Sequence, residues 1–358
     1  MYLCKVKCLG MNASIEFDNQ QIKTIKQWID EAQTIAIVAH RNADGDAVGS
    51  LLGLFHILSA YKSSNRCGGD FGIYPILPNG CPRYFGWLPG SEKIESGELL
   101  RDRCEQLLSD ADLLIGVDFN ATSRIDFLSD AFGDSKARKV LIDHHHAPAL
   151  DQFDLVVSRP GLSSASELVY WLTTELFGDS AINQQAAKCL YTGICTDTGS
   201  FSYSCEDASL YHAAAALVGK EINAAEIHNK INNTFSIARM RFFGFAISQR
   251  LRIFEKEKFA YIAVSLQDQR DYHVAAEDCE GLVNYTLMME NIEVGALIRE
   301  ETSRIKVSLR SKYDVNVNAI ARDYFGGGGH IKAAGADSNL GFEATVKRLE
   351  EIFVLKQD

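Results

Sequence analysis

The chain has 358 residues, 46% apolar and 23% charged, a balance that supports folded cores and more than one domain rather than a disordered or fibrous polymer. Its net charge of −11 argues against a long, sequence-blind duplex-binding surface, and no apolar run reaches the ~18 residues of a membrane span. The nine cysteines are scattered without a C-x-x-C pair, so free thiols in a reducing cytoplasm are expected, with Cys4 and Cys8 incidental.

The first ten residues lack the apolar core of a signal peptide, and Met11 is an alternative start to Met1. Ile22, Ile25, Ile29 and Ala32 recur at helical spacing over 20–33. The apolar run 34–39 reads as a buried strand and 51–58 as a helix. Further strands are expected at 71–77, 112–117, 139–142 and 155–157, with helical patterns near 98–108, 122–132 and 164–177. Such alternation predicts a mostly parallel sheet with helices on both faces. Ser163, Ser164 and Ser166 with Glu167 read as helix-capping chemistry. The stretch 183–252 is largely helical, and its Asn/Gly-punctuated part, 219–243, reads as an interdomain connection. Beyond 244 come a strand at 259–264, a helix near 279–289, strands at 292–300 and 303–311, and a helix at 315–324. A run of four glycines, Gly326 to Gly329, and a closing helix at 341–354 follow.

The chemistry gathers at strand ends. His40-Arg41-Asn42-Ala43-Asp44-Gly45-Asp46 sits between the first strand and its helix, at the edge where open α/β sheets bind ligands. Gly45 is expected to let the chain turn tightly between the two acids. An Asp-rich helix cap explains the stretch equally well when it is taken alone. Recurrence favours the metal reading. Asp118 ends a second strand, Asp143-His144-His145-His146 ends a third, and Asp197 closes an apolar helix. Four carboxylates (Asp44, Asp46, Asp118, Asp197) with the imidazoles of His40 and His144 suit two divalent cations sharing a bridging carboxylate. A His145 that is not itself a ligand would donate to a phosphate or leaving oxygen, and Asp143 would orient a neighbouring His.

In the C-terminal part, 304–312 alternates: Ile305, Val307 and Leu309 point to a core, and Arg304, Lys306, Ser308, Arg310 and Lys312 point away. The glycine run before His330 would let backbone N–H groups approach a phosphate, although no P-loop Lys follows. His56 reads as a satisfied core-edge residue, and His212, His228 and His273 show no partner spacing.

Together, His-x-x-x-Asp-Gly-Asp-Ala, Asp118, Asp143-His144-His145 and Asp197 resemble the DHH phosphoesterase superfamily, which includes RecJ-like exonucleases, over 40–199. Ser308-Leu309-Arg310-Ser311 with the glycine run and His330 resembles the DHH-associated domain over about 244–356. The resemblance implies that His40, Asp44 and Asp118 hold one ion and that Asp46, Asp118, His144 and Asp197 hold the other. Mn²⁺ is expected, with Mg²⁺ or Co²⁺ as alternatives. It further implies that His145 contacts phosphate, that Arg124 has a minor substrate role, and that Ser308, Arg310, His330, Gly327, Gly328 and Gly329 grip the nucleotide. Ala43 stands where a Pro is common, which loosens the loop but removes no ligand.

The implied architecture is α/β: a catalytic domain at 1–218, a helical linker at 219–243 acting as a hinge, and a smaller α+β substrate-binding domain at 244–358 across a cleft. The implied activity is hydrolysis of short RNA oligonucleotides to mononucleotides, and of 3′-phosphoadenosine 5′-phosphate to AMP. The rivals are a cyclic di-AMP phosphodiesterase, a pyrophosphatase or exopolyphosphatase, and a non-catalytic nucleotide-binding module. Short RNA or small nucleotides are the expected partners, with no membrane and with a homodimer as an option.

Overall fold

The computed structural model describes residues 15–65, 71–233, 235–313 and 315–354; Cys4, Cys8 and the choice between Met1 and Met11 lie outside them. The chain forms two compact units that divide between Asn233 and Thr234.

Apolar runs with almost no alternation dictate a sheet covered on both sides. The first unit has such a sheet, made of β1 (Thr34–Val38), β2 (Gly72–Leu77), β3 (Glu95–Ser96), β4 (Leu113–Val117), β5 (Arg138–Asp143) and β6 (Leu155–Ser158). All pairings are parallel, in the order β3-β2-β1-β4-β5-β6. Ile35 and Ile37 of β1 face one core and Ala36 and Val38 the other. The first core is built with α1 (Asn19–Glu31), α2 (Gly45–Asn65), α5 (Ala165–Phe177), α6 (Gln184–Asp197), α7 (Ala208–Val218) and α8 (Ala224–Asn232). The second is built with α3 (Arg101–Asp110) and α4 (Ser129–Asp134). The chain leaves β1 toward β2 and β3, then returns to β4 on the other side. The ends of β1 and β4 therefore flank the topological switch point, where doubly wound sheets open a crevice.

Local differences from expectation have local causes. The helix expected at 122–132 is a 3₁₀ turn over Thr122–Leu128 followed by α4, because Asp126 has φ 52° and breaks the run. The linker expected at 219–243 does not stand apart. Ile227 of α8 is in the first unit's core, and Phe242 and Phe243 of α9 (Ile237–Phe245) are in the second unit's.

The second unit carries β7 (Leu251–Phe254), β8 (Phe259–Val264), β9 (Val294–Glu300), β10 (Ile305–Ser311), β11 (Gly328–Gly329) and β12 (Ala333–Ser338). They form a mixed sheet in the order β11-β12-β10-β9-β8-β7, parallel only between β8 and β9. Its helices are α9, α10 (Leu266–Asp271), α11 (Asn284–Leu287), α12 (Val317–Phe325) and α13 (Phe342–Phe353). The helix expected at 279–289 shrinks to α11, because Gly281, at φ 82°, ends the preceding turn in the left-handed region. As expected, Ile305, Val307 and Leu309 of β10 face a core, here with Val317, Ala321 and Leu349. Among the described residues no helix is long and apolar enough to cross a membrane.

Candidate metal centre

Three neighbouring parallel strands, β1, β4 and β5, end in polar side chains at the edge of the sheet where the switch point lies. His40 follows β1 and donates from Nδ1 to the Arg41 carbonyl at 2.8 Å, which turns its Nε2 toward Asp118 Oδ2 at 3.5 Å and Asp44 Oδ1 at 4.0 Å. Asp118 follows β4 at φ 60°, a left-handed conformation that costs a residue with a Cβ on the order of 1 kcal/mol. Its N–H donates to Ile142 of β5 at 3.1 Å, which ties the turn to the neighbouring strand. His144 follows β5 and donates from Nδ1 to the Leu162 carbonyl at 3.3 Å. Its Nε2 lies 3.5 Å from Asp118 Oδ1, 3.8 Å from Asp46 Oδ2 and 3.4 Å from Asp197 Oδ2. Asp118 thus stands between the two imidazoles, one oxygen toward each.

Asp44 and Asp46 bracket the start of α2. Asp44 does cap that helix, accepting from the Asp46 and Ala47 N–H groups at 3.1 Å, and it is exposed enough to reach His40 as well. Asp46 is buried and accepts from the N–H groups of Ala165 and Ser166 at 2.6 and 2.8 Å. His145 donates from Nδ1 to Asp143 Oδ1 at 2.7 Å and lies 3.8 Å from Asp118 Oδ1.

The cluster is electrostatically frustrated. Burial, then the neighbouring Asp118, pushes the Asp46 carboxyl up to about 7. Burial raises Asp197 well above the carboxylate range, with Asp46, Asp44 and Asp118 reinforcing it against the pull of His144. Asp197 is also the last residue of α6, where the helix dipole disfavours negative charge. Burial opposes charge on His40, but hydrogen bonding and ion pairing to Asp118, with Asp44, raise it to about 9. His144 is raised well above its usual value in the same way, against burial, by Asp118, Asp197 and Asp46. Asp118 is held well below the usual range because His144 and His40 outweigh its burial.

Four carboxylates and two imidazoles this close need added positive charge, from protons or from cations. The donor atoms fall into two overlapping groups, His40, Asp44, Asp118 and Asp46, Asp118, His144, with Asp197 against the second. That donor chemistry fits two divalent ions sharing Asp118.

Residues 34–194 match the model of the DHH family, N-terminal domain, and 256–354 match that of the DHHA1 domain. An exopolyphosphatase-related protein from Bacteroides fragilis, known from its crystal structure, is 34% identical, with a TM-score of 0.88 over 94% of this chain and 96% of that one. The chain belongs to the DHH family.

Two curated relatives are more distant. The bifunctional oligoribonuclease and PAP phosphatase NrnA of Thermus thermophilus is 27% identical over 88% of this chain and 89% of its own length. The cyclic-di-AMP phosphodiesterase GdpP of Bacillus subtilis is 24% identical over 91% of this chain but only 48% of that protein. In this DHH-family chain the first matched region holds every strand-end residue named above, and Asp197 lies just past its end.

Other features of the DHH region were not legible in advance. Gly45 does not serve a turn between the acids; it is the first residue of α2 and lies against Thr196. With Gly49 against Cys189 and Gly193, and Gly53 against Leu190, it lets α2 and α6 approach at backbone distance. That approach brings Asp46 and Asp197 to the same imidazole. Of the serines at 163–166, Ser164 caps α5 by accepting from the Glu167 N–H, and the same turn also holds Asp46 through backbone N–H groups. His228 has partners after all: Tyr191 Oη at 3.3 Å and Ser200 Oγ at 3.2 Å. His56 is satisfied, donating to the Pro89 carbonyl at 2.8 Å. Arg124 is exposed after β4, near enough that its charge opposes protonation of His40. His146 is exposed, and its carbonyl accepts from Asn120 at 3.0 Å.

In the DHHA1 region, Ser308 and Arg310 lie on the half-buried face of β10. Ser308 pairs in register with Gly335, which pairs in turn with Gly328, and Arg310 pairs with Ala333. His330 and Ala333 exchange backbone hydrogen bonds at 2.7 and 3.2 Å across the β11–β12 turn, so the basic strand and the glycine run flank β12 on its two sides. The glycines have work in the fold itself. Gly326 ends α12 at φ 67°, Gly327 lies against the Gly335 carbonyl, and Gly329 has φ 142°.

Proposed function

We propose that this chain is a two-metal phosphoesterase that hydrolyses short RNA oligonucleotides to mononucleotides and 3′-phosphoadenosine 5′-phosphate to AMP. The observation that carries the reading is the placement of Asp118, with Oδ2 and Oδ1 each 3.5 Å from the Nε2 of His40 and His144. His40, Asp44 and Asp118 would hold one divalent ion, and Asp46, Asp118, His144 and Asp197 the other, with Mn²⁺ the preferred metal. Such a pair of ions lowers the pKa of water toward neutrality and offsets charge building on the phosphorus oxygens.

The side chains supply the remainder. The Nδ1 atoms of His40 and His144 are committed to backbone carbonyls, which leaves each Nε2 as the ligand. Asp143 holds His145 through Nδ1, and His145 is assigned to a phosphate or leaving oxygen. Ser308, Arg310, His330 and the Gly327–Gly329 backbone are assigned to the nucleotide phosphate, with Arg124 in a lesser role. Likeness to the Thermus NrnA over most of both chains supports this substrate class.

Likeness to GdpP favours a second reading, a cyclic di-AMP phosphodiesterase with the same ligands. A panel of pApA, 3′-phosphoadenosine 5′-phosphate, cyclic di-AMP and polyphosphate under Mn²⁺ separates these readings. Faster turnover of pApA than of cyclic di-AMP is expected; the reverse order assigns the chain to the second reading. Binding without turnover of any member marks a non-catalytic module.

A further inference from the structure

Glu167 is 1% exposed at the third position of α5, and the chemistry proposed above makes no use of it. Its Oε2 accepts from the Ser163 N–H at 2.9 Å and the Ser163 hydroxyl at 2.7 Å. Its Oε1 accepts from the Ser209 hydroxyl of α7 at 2.9 Å and the Trp171 indole at 3.4 Å. These donors are all neutral. Taking a carboxylate out of water against neutral donors is costly, and helix capping does not account for it. Ser164 already caps α5, accepting from the Glu167 N–H at 3.0 Å. In a capping box the acid returns to the N–H of the capping residue; here it reaches one residue further back, to Ser163.

Ser163 is the second residue of a five-residue segment, 162–166, that touches two site residues. On one side, the Leu162 carbonyl orients His144 through Nδ1 at 3.3 Å. On the other, the Ala165 and Ser166 N–H groups hold both oxygens of Asp46 at 2.6 and 2.8 Å. By contrast, His40 is oriented by the Arg41 carbonyl, and Asp44 faces the start of its own helix. The Glu167 anchor therefore reaches one half of the cluster directly and leaves the other half alone.

We propose that Glu167 is a positioning residue for the Asp46, His144 and Asp197 half of the site, fixing the 162–166 backbone that aims Asp46 and His144. The inference rests on the two-metal reading and deepens it.

The test is a Mn²⁺ titration of the metal-stripped, full-length protein, counting free ion by electron paramagnetic resonance, with thermal unfolding in parallel. Wild type is expected to bind two ions. Glu167→Gln keeps the size of the side chain but loses one acceptor. It should weaken one class of site by about 10–100-fold and leave the other within about twofold, as loss of a partner that orients a ligand does. Ser209→Ala removes one donor and should weaken the same class by less than about tenfold. Equal weakening of both classes, or no change in either, overturns the assignment of Glu167. Should Glu167→Gln fail to fold, Ser209→Ala decides alone: an unchanged two-site titration overturns the inference. Wild type binding fewer than two ions sinks the metal reading itself, before any substitution is made.

Discussion

Gly193 on α6 lies so close to Asp46 on α2 that a methyl group in its place would come within 2.8 Å of Asp46 Oδ1 and collide with the Ser166 hydroxyl. Neither obstacle is a flexible chain end, since both sit on helices packed against each other. Gly193→Ala should therefore force α6 away from α2 and separate Asp46 from Asp197. A stability loss of roughly 1–3 kcal/mol is expected from overpacking, read as a lower denaturant midpoint. Mn²⁺ affinity should fall along with it. Unchanged stability together with unchanged Mn²⁺ affinity would show that the helices do not need this contact.

Asp118→Asn tests the shared carboxylate. The amide keeps the shape and the left-handed backbone, which Asn tolerates better than most residues. The fold, followed by circular dichroism, should persist. One bridging charge between His40 and His144 is lost, and kcat on pApA should drop by roughly a thousandfold or more, about 4 kcal/mol of barrier. Retention of near wild-type kcat would remove Asp118 from the centre of the proposal.

Acidity gives a third expectation. In the metal-free protein His40 keeps a proton to about pH 9 and Asp46 to about 7. A cation must displace those protons, so Mn²⁺ affinity should rise between pH 6 and 9. Binding at pH 7 should release protons, the one held by His40 at the least. Calorimetry in buffers of different ionisation enthalpy reads this directly. The stability consequence has the opposite sign. Both groups have folded pKa values above their unfolded ones, so their stabilisation is present at low pH and is lost as pH climbs through 7 and then 9. The depressed Asp118 is ionised in both states across that window and adds no slope there. The metal-free protein should lose on the order of 2 kcal/mol between pH 7 and 9, and Mn²⁺ should reverse the trend. A metal-free stability that is flat from pH 7 to 9 contradicts the assigned shifts.

How far the sequence carried this reading depended on where each contact is encoded. An apolar run ending in Asp or His marks both a strand and a site, so His40, Asp118, Asp143 and His144 were legible. The partners of Asp46 were not, because the donors are backbone N–H groups of Ala165 and Ser166, and backbone groups carry no residue signature. The α2 glycines at 45, 49 and 53 did carry one, a step of four that places them on one helix face, yet Gly45 alone suggested only a turn. β12 reads Ala-Ala-Gly-Ala-Asp-Ser, with none of the branched or aromatic residues that announce a strand. Its pairing with β10 is what makes it one.

The glycine run allows the fold and the ligand to be separated. A side chain at Gly327 would collide with the Gly335 carbonyl and come within 2.8 Å of Ala336 Cα, both backbone atoms in a paired strand that cannot yield. At Gly328 the nearest atom to a new Cβ would be Asn318 Oδ1 at 3.7 Å, an ordinary contact. Gly327→Ala should therefore destabilise the second unit by roughly 1–3 kcal/mol. Gly328→Ala should leave unfolding within about 0.5 kcal/mol of wild type. If the run also brings its amides against a phosphate, Gly328→Ala should raise KM for pApA several-fold at little cost in kcat, because a methyl group would hold the phosphate off. Wild-type KM in a stable Gly328→Ala protein would confine the glycines to their structural duty: capping α12 and closing β11 onto β12.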